Sequence, residues 1–455
     1  MSFNLSKINI INILFYFIPI SFIAGNLIIN LNILLFLIFS LSFYGKEIFK
    51  IKLFLLDKLI ILFFSYLLLI AFYYNIYIDY FSLASVDFTV LLKTIFYLRF
   101  LILYFVLRYL IENKLLDFKF FFVTCGLITL FLCFDLIFQY IFGFDIFGFK
   151  GVSRRMAGPF NDELIAGSYL QRFSIFSFFT IPIFFKKFQT KYYNIILAIF
   201  FGILFFTVTI AGNRIPFLFF TIMMLLIIIF EKHLKTYLFG FLVITTSIFS
   251  ISYNLSEEFQ DHYGVFFNRE IPNMVKSFSS NPNYDHLKKF EDKEKRERVK
   301  KKYVATIGDK KIPLVNVYQK DLYTGYQTWL ENKYFGGGVK SYKKNCFKAQ
   351  QVKKIINCGP HPHNYYLEIL ANIGLFGLLI LLSVFLILFY KTFVKKYFMN
   401  SALNSNKIIT PFIFLFFIEI FPIKTTGSFF STANATYVFL ILSILIALSL
   451  VNKKI

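Results

Sequence analysis

Long apolar runs, each of about 17 to 25 residues and so able to cross a hydrocarbon core, constrain this 455-residue chain more than any motif does. They lie near 8–24, 27–43, 59–77, 92–111, 118–141, 164–185, 192–211, 215–231, 236–253, 364–390, 409–425 and 432–450. In lipid the backbone must satisfy its own hydrogen bonds, so runs of this length predict helices. The chain reads as an all-α integral membrane protein of about twelve transmembrane helices, with one large loop subdomain between helices nine and ten. Residues 1–253 then hold helices one to nine, 254–363 the loop subdomain, and 364–455 helices ten to twelve. The first run lacks a small-residue cleavage site and is taken as a retained helix. A hydrophobic content of 58% and a mean hydropathy of +0.66 exclude an ordinary soluble domain.

In a soluble chain a formal net charge of +23 would point to nucleic acid. Here the lysines follow the positive-inside rule, so membrane lipid is the expected partner and nucleic acid is not. With a cytoplasmic N-terminus, Lys46, Lys50, Lys52 and Lys58 share a side with Lys114, Lys119, Lys186, Lys187, Lys191, Lys232 and Lys235. Lys391, Lys395, Lys396, Lys407, Lys453 and Lys454 join them, whereas Asp79, Asp87 and Asp145 fall in the opposite loops. Both termini are therefore expected inside, with 142–163, 212–214, 254–363 and 426–431 on the outer face.

Polar residues of chemical interest collect on that outer face. The stretch Arg154-Arg155-Met156-Ala157-Gly158-Pro159-Phe160-Asn161-Asp162-Glu163 puts two guanidiniums where cations are disfavoured. They read either as donors for a bound anion or as a surface pair answering Asp162 and Glu163. Ala211-Gly212-Asn213-Arg214-Ile215-Pro216 is an abrupt turn between helices seven and eight. It fixes Arg214 at the membrane surface, for an anion or for lipid headgroups. Arg99 lies about two turns inside helix four, and an intramembrane charge implies a polar cavity or a partner. Arg108, near the inner end of that helix, reads as an anchor snorkelling to headgroups.

Within 254–363, the charge-dense residues 286–303 read as a solvated helix. Tyr303 to Val317 alternates around Gly308-Asp309 as a hairpin does. Tyr318 to Lys333 places Tyr323, Tyr326, Trp329 and Leu330 at helical spacing, as a packing stripe or a sugar platform. Phe335-Gly336-Gly337-Gly338 then allows close backbone approach or a movable lid. Cys346 and Cys358 flank eleven residues; a disulfide is the leading expectation in an oxidising compartment, and a Cys-x11-Cys-x2-His-x-His zinc site the other. Cys125 and Cys133, inside helix five, read as inert buried thiols. His361 and His363, at the mouth of helix ten, are two of five histidines. An imidazole there can act as a general base, or His363 and Asn364 can simply cap the helix.

The chain has no P-loop, no GxGxxG and no Asp-x-Asp pair, so a bound diphosphate would be held by arginines. His363-Asn364, nine residues, then Gly374-x-x-Gly377 resembles the signature of the O-antigen ligase and O-antigen polymerase superfamily, multi-helix glycosyltransferases of the bacterial inner membrane. Arg214 in a Gly-x-Arg turn, the Phe335-Gly336-Gly337-Gly338 segment and the large outer loop agree with it, over roughly residues 150–430.

The resemblance implies transfer of a glycan from an undecaprenyl-diphosphate carrier to an acceptor hydroxyl, without cofactor or metal. The acceptor would be the lipid A core for a ligase, or a carrier-linked glycan for a polymerase. By position, His363 would activate or orient the acceptor hydroxyl, with Asn364, Gly374, Gly377 and His361 in support. Arg214 with Arg154 or Arg155 would grip the diphosphate, and Arg99 is a further candidate. Neighbouring cations are expected to keep His363 neutral. A lipid-linked oligosaccharide transporter is the alternative from another class, but it should place its charges at the midplane between repeated halves. An outer-surface binding or scaffold protein is a third.

Overall fold

The computed structural model describes residues 6–73, 88–151, 155–185, 191–231, parts of 243–260, 304–307, 310–313, 317–353, 358–399, 402–404, 406–425 and 427–451. Among the described residues, the regular structure is helical apart from one two-stranded sheet. Its helices are α1 (Lys7–Tyr16), α2 (Ile18–Ala24), α3 (Asn26–Ile48), α4 (Leu55–Phe72), α5 (Thr89–Tyr97), α6 (Arg99–Glu112) and α7 (Phe118–Phe142). They continue as α8 (Ala166–Phe173), α9 (Ile175–Phe184), α10 (Lys191–Ile210), α11 (Arg214–Phe230), α12 (Val317–Glu331), α13 (Tyr342–Lys353), α14 (Tyr365–Phe389), α15 (Ile409–Glu419) and α16 (Thr432–Val451). Strands β1 (Val304–Ile307) and β2 (Lys310–Pro313) pair antiparallel, with Ile307 opposite Lys310.

Each apolar run of the sequence coincides with a helix or a broken pair of helices, except 236–253, which is described only in part and is helical where it is described. Among the described residues, six helices can cross a membrane by length and hydropathy, or seven if α1 and α2, bent by 45°, form one span. The helix bodies Ile195–Ile210, Arg214–Phe230 and Ile409–Glu419 are apolar but shorter. The bend follows Phe17, where Pro19 enters the first turn of α2 and cannot donate its nitrogen to a continuous helix. The charge-dense stretch 286–303 lies outside the described residues.

The bundle is built around α16. Its apolar window is 94% buried, against 33–50% for the other long spans, so they ring it and keep one face outward. Those outward faces carry Leu27, Leu69, Phe134 and Leu386, the apolar surface a lipid-facing helix requires. Phe439 of α16 stacks on Phe100 of α6 at 5.4 Å and packs on Phe64 of α4 at 5.3 Å.

Arg108 is not a snorkelling anchor. It is fully buried and bonds the Asp57 carboxylate, Glu112 at 2.8 Å and the Lys52 carbonyl at 3.0 Å. Tyr104 also donates to Asp57. A carboxylate one helix away is a better partner than a headgroup, since it neutralises the charge without leaving the core.

Helix α14 is broken where the sequence shows one run. Gly374 has φ +68° and ψ −173°, a region essentially restricted to glycine. The 333–338 segment fills the break: Leu375 and Phe376 donate to the carbonyls of Lys333 and Tyr334, at 2.9 and 3.1 Å, and Gly337 and Gly338 both donate to Asn372 at 2.8 Å. The glycine run thus serves close approach rather than a lid. A Cβ on Gly336 would stand 2.3 Å from the Asn372 carbonyl oxygen, one on Gly374 2.3 Å from that of Tyr334, and one on Gly377 2.8 Å from the Tyr66 ring. Gly374→Ala is therefore expected to lower stability by about 2–4 kcal/mol, combining a left-handed backbone with the clash. Thermal unfolding in detergent checks this, and a wild-type Tm would show that the segment can undock freely.

Candidate functional site

His363 is fixed by its own backbone before any side chain reaches it. It has φ +53°, a strained value for a non-glycine residue. Its N–H donates to His361 Nδ1 at 3.2 Å. Asn364 caps α14: its Oδ1 accepts from Leu367 N–H at 3.0 Å, and its amide donates to the Pro422 carbonyl at 3.0 Å. The cap is therefore made by the Asn364 side chain and not by that of His363.

Asp321 on α12 places its carboxylate 3.7 Å from His363 Nε2. Gly325, one turn on, lets α12 lie against the same loop, since a Cβ there would be 2.5 Å from Pro362. The imidazole thus has a carboxylate beside it, a group able to orient a histidine. His363 keeps 36% of its side chain exposed, enough to meet a substrate, while Asp321 is buried. Cys346 of α13 and Cys358 are joined by a disulfide, which ties α13 to the residues just ahead of this loop.

His361 behaves differently. Burial, with His363 beside it, pushes its imidazole down to about 4 from 6.5. It stays neutral with Nδ1 accepting, as its bond to His363 N–H requires. Because the folded value lies below the unfolded one, the unfolded chain binds the extra proton between pH 6.5 and 4, and stability falls as pH drops through that window. His361→Gln is expected to flatten that fall; parallel Tm–pH profiles for the two proteins would contradict the assignment.

Arg155 and Arg214 are brought together by the loops that carry them. Met156 N–H donates to Ile210 at 3.2 Å, at the end of α10. Gly212 turns the chain with φ +66°, and Asn213 then donates to the Leu164 carbonyl at 2.7 Å and accepts from Gly167 N–H at 3.2 Å. Arg155, Arg214 and His363 consequently line one cleft of about 390 Å³, with Glu163, Tyr318, Ser431 and Asn434. Arg99 is not among its lining residues; it is half-buried, with its guanidinium 4.8 Å from the Phe100 ring. Arg154 lies outside the described residues. Gly374 and Gly377 sit at the break of α14 and are not among the lining residues of the cleft.

Arg172 also lines the cleft and was not anticipated. It is 6% exposed, and its Nη2 donates to Glu419 and Asn434, both at 2.8 Å. Lys424 donates to the other Glu419 oxygen at 2.8 Å. Arg172 and Glu419 are charges inside apolar runs, the signal that marked Arg99, and the same rule would have found them. Asp321 stands in a polar helix with nothing local to distinguish it. Among the described residues, no three His, Cys, Asp or Glu side chains gather as a metal site.

No curated protein matches the chain. The family model described as O-antigen ligase matches residues 199–382, which take in Arg214, Asp321, the glycine run, His363, Asn364, Gly374 and Gly377. The histidine turn, the broken helix and the arginine turn all lie inside the matched stretch, and over these residues the chain is similar to the O-antigen ligase family.

Proposed function

We propose that the protein is a glycosyltransferase of the bacterial inner membrane that moves a glycan from undecaprenyl diphosphate to an acceptor hydroxyl, as a ligase acting on the lipid A core. The observation carrying this reading is that Arg155, Arg214 and His363, remote in sequence, line a single cleft. The lysine bias supports twelve spans with both termini cytoplasmic and this cleft at the periplasmic face. Residues 254–363 would then be a periplasmic subdomain that brings Asp321 to His363.

In the reaction the acceptor oxygen attacks the anomeric carbon and gives its proton to His363, oriented by Asp321. The bond from that carbon to the diphosphate oxygen breaks, and the carrier leaves with the electron pair. Arg155 and Arg214 meet the charge gained by the leaving diphosphate, where preorganised donors act without reorganising. No step is assigned to a metal or nucleotide.

Purified protein in proteoliposomes, given a carrier-linked glycan with and without lipid A core, tests the reading. Transfer only with the core is expected. Lengthening of carrier-linked glycan without it would identify a polymerase, and no glycosidic bond in either case would refute the assignment.

A further inference from the structure

Building on that reading, we propose that Arg172 is a third guanidinium for the carrier's diphosphate, set in the buried wall of the cleft by a charge cluster with one positive charge in excess. Two cations, Arg172 and Lys424, share one carboxylate, Glu419, at 2.8 Å each. No second carboxylate contacts either cation among the described residues. All the hydrogen bonds of the Arg172 side chain run through Nη2, including the longer one to Tyr365 at 3.5 Å. Nε is buried without a partner, and Nη1 is engaged with nothing among the described residues.

Burying an uncompensated charge is costly, and the cost falls when an anion arrives. Arg172 is held over the Tyr437 ring at 4.5 Å while Glu419 and Asn434 grip one edge of the guanidinium, so its remaining N–H groups are fixed in place. It shares the cleft with Arg155 and Arg214, where a diphosphate, with more charge than a single phosphoester, can engage several guanidiniums at once. Lys424 does not line the cleft; it acts by setting the charge of the cluster, as a positioning residue.

The test is equilibrium binding of undecaprenyl diphosphate to the full-length protein in nanodiscs, with phosphatidylglycerol as competitor. Arg172→Gln is expected to weaken binding about 10- to 100-fold. Lys424→Met keeps the Arg172–Glu419 pair but cancels the excess charge, and is expected to weaken binding by several-fold. Phosphatidylglycerol should compete poorly. A folded Arg172→Gln protein with wild-type affinity would overturn the subsite while leaving the transferase reading standing, provided wild type still transfers glycan. Should Arg172→Gln fail to fold, unchanged affinity in Lys424→Met would overturn it instead. Equal competition by phosphatidylglycerol would reassign the cluster to lipid headgroups, and failure of wild type both to bind the carrier and to transfer glycan would sink both readings.

Discussion

His363→Ala is expected to reduce glycan transfer by about 100- to 10,000-fold, the range a single general base contributes. The protein should still insert and run as a single species, because the strained loop is also anchored by Asn364 at the start of α14 and by the Cys346–Cys358 disulfide. Asp321→Asn should give a smaller loss at the same carrier affinity, since Asp321 reaches the reaction only through His363 Nε2, 3.7 Å away. Single-turnover assays with excess carrier-linked glycan separate the two effects. Near-wild-type turnover in His363→Ala would move the base elsewhere in the cleft.

Arg214→Ala is expected to cost about 100- to 1,000-fold in turnover, as loss of one donor to a developing anion does in other enzymes. Arg214→Lys should recover little of it, because an ammonium replaces the charge but not the planar fork. The turn that carries Arg214 is held by Asn213 through Leu164 and Gly167, so the side chain at 214 can change without freeing the backbone. Wild-type rates in Arg214→Lys would show that the site needs only a positive charge there.

The helices were legible in the sequence because lipid demands long apolar runs, and hydrophobicity alone records that demand. Their breaks were not. Nothing in 364–390 says that Gly374 leaves the helix, since the cause is the 333–338 segment packing into the break. Arg108 was misread for a similar reason: its partner Asp57 stands just ahead of another run, and only the packing of α6 on α4 joins them. Among the site residues, the histidine and arginine turns stood out because Gly and Pro shape their local backbone. Arg172, Glu419 and Asp321 depend on tertiary contacts between α8, α15, α16 and α12, and local sequence marks only the first two, as charges in apolar runs.

The claim that the cleft breaks the carrier–glycan bond is tested most directly by stoichiometry. In sealed proteoliposomes with donor and lipid A core, free undecaprenyl diphosphate and core-linked glycan should appear at equal rates, one for one. Intact donor crossing the bilayer with no free carrier produced would contradict the account and make the protein a transporter.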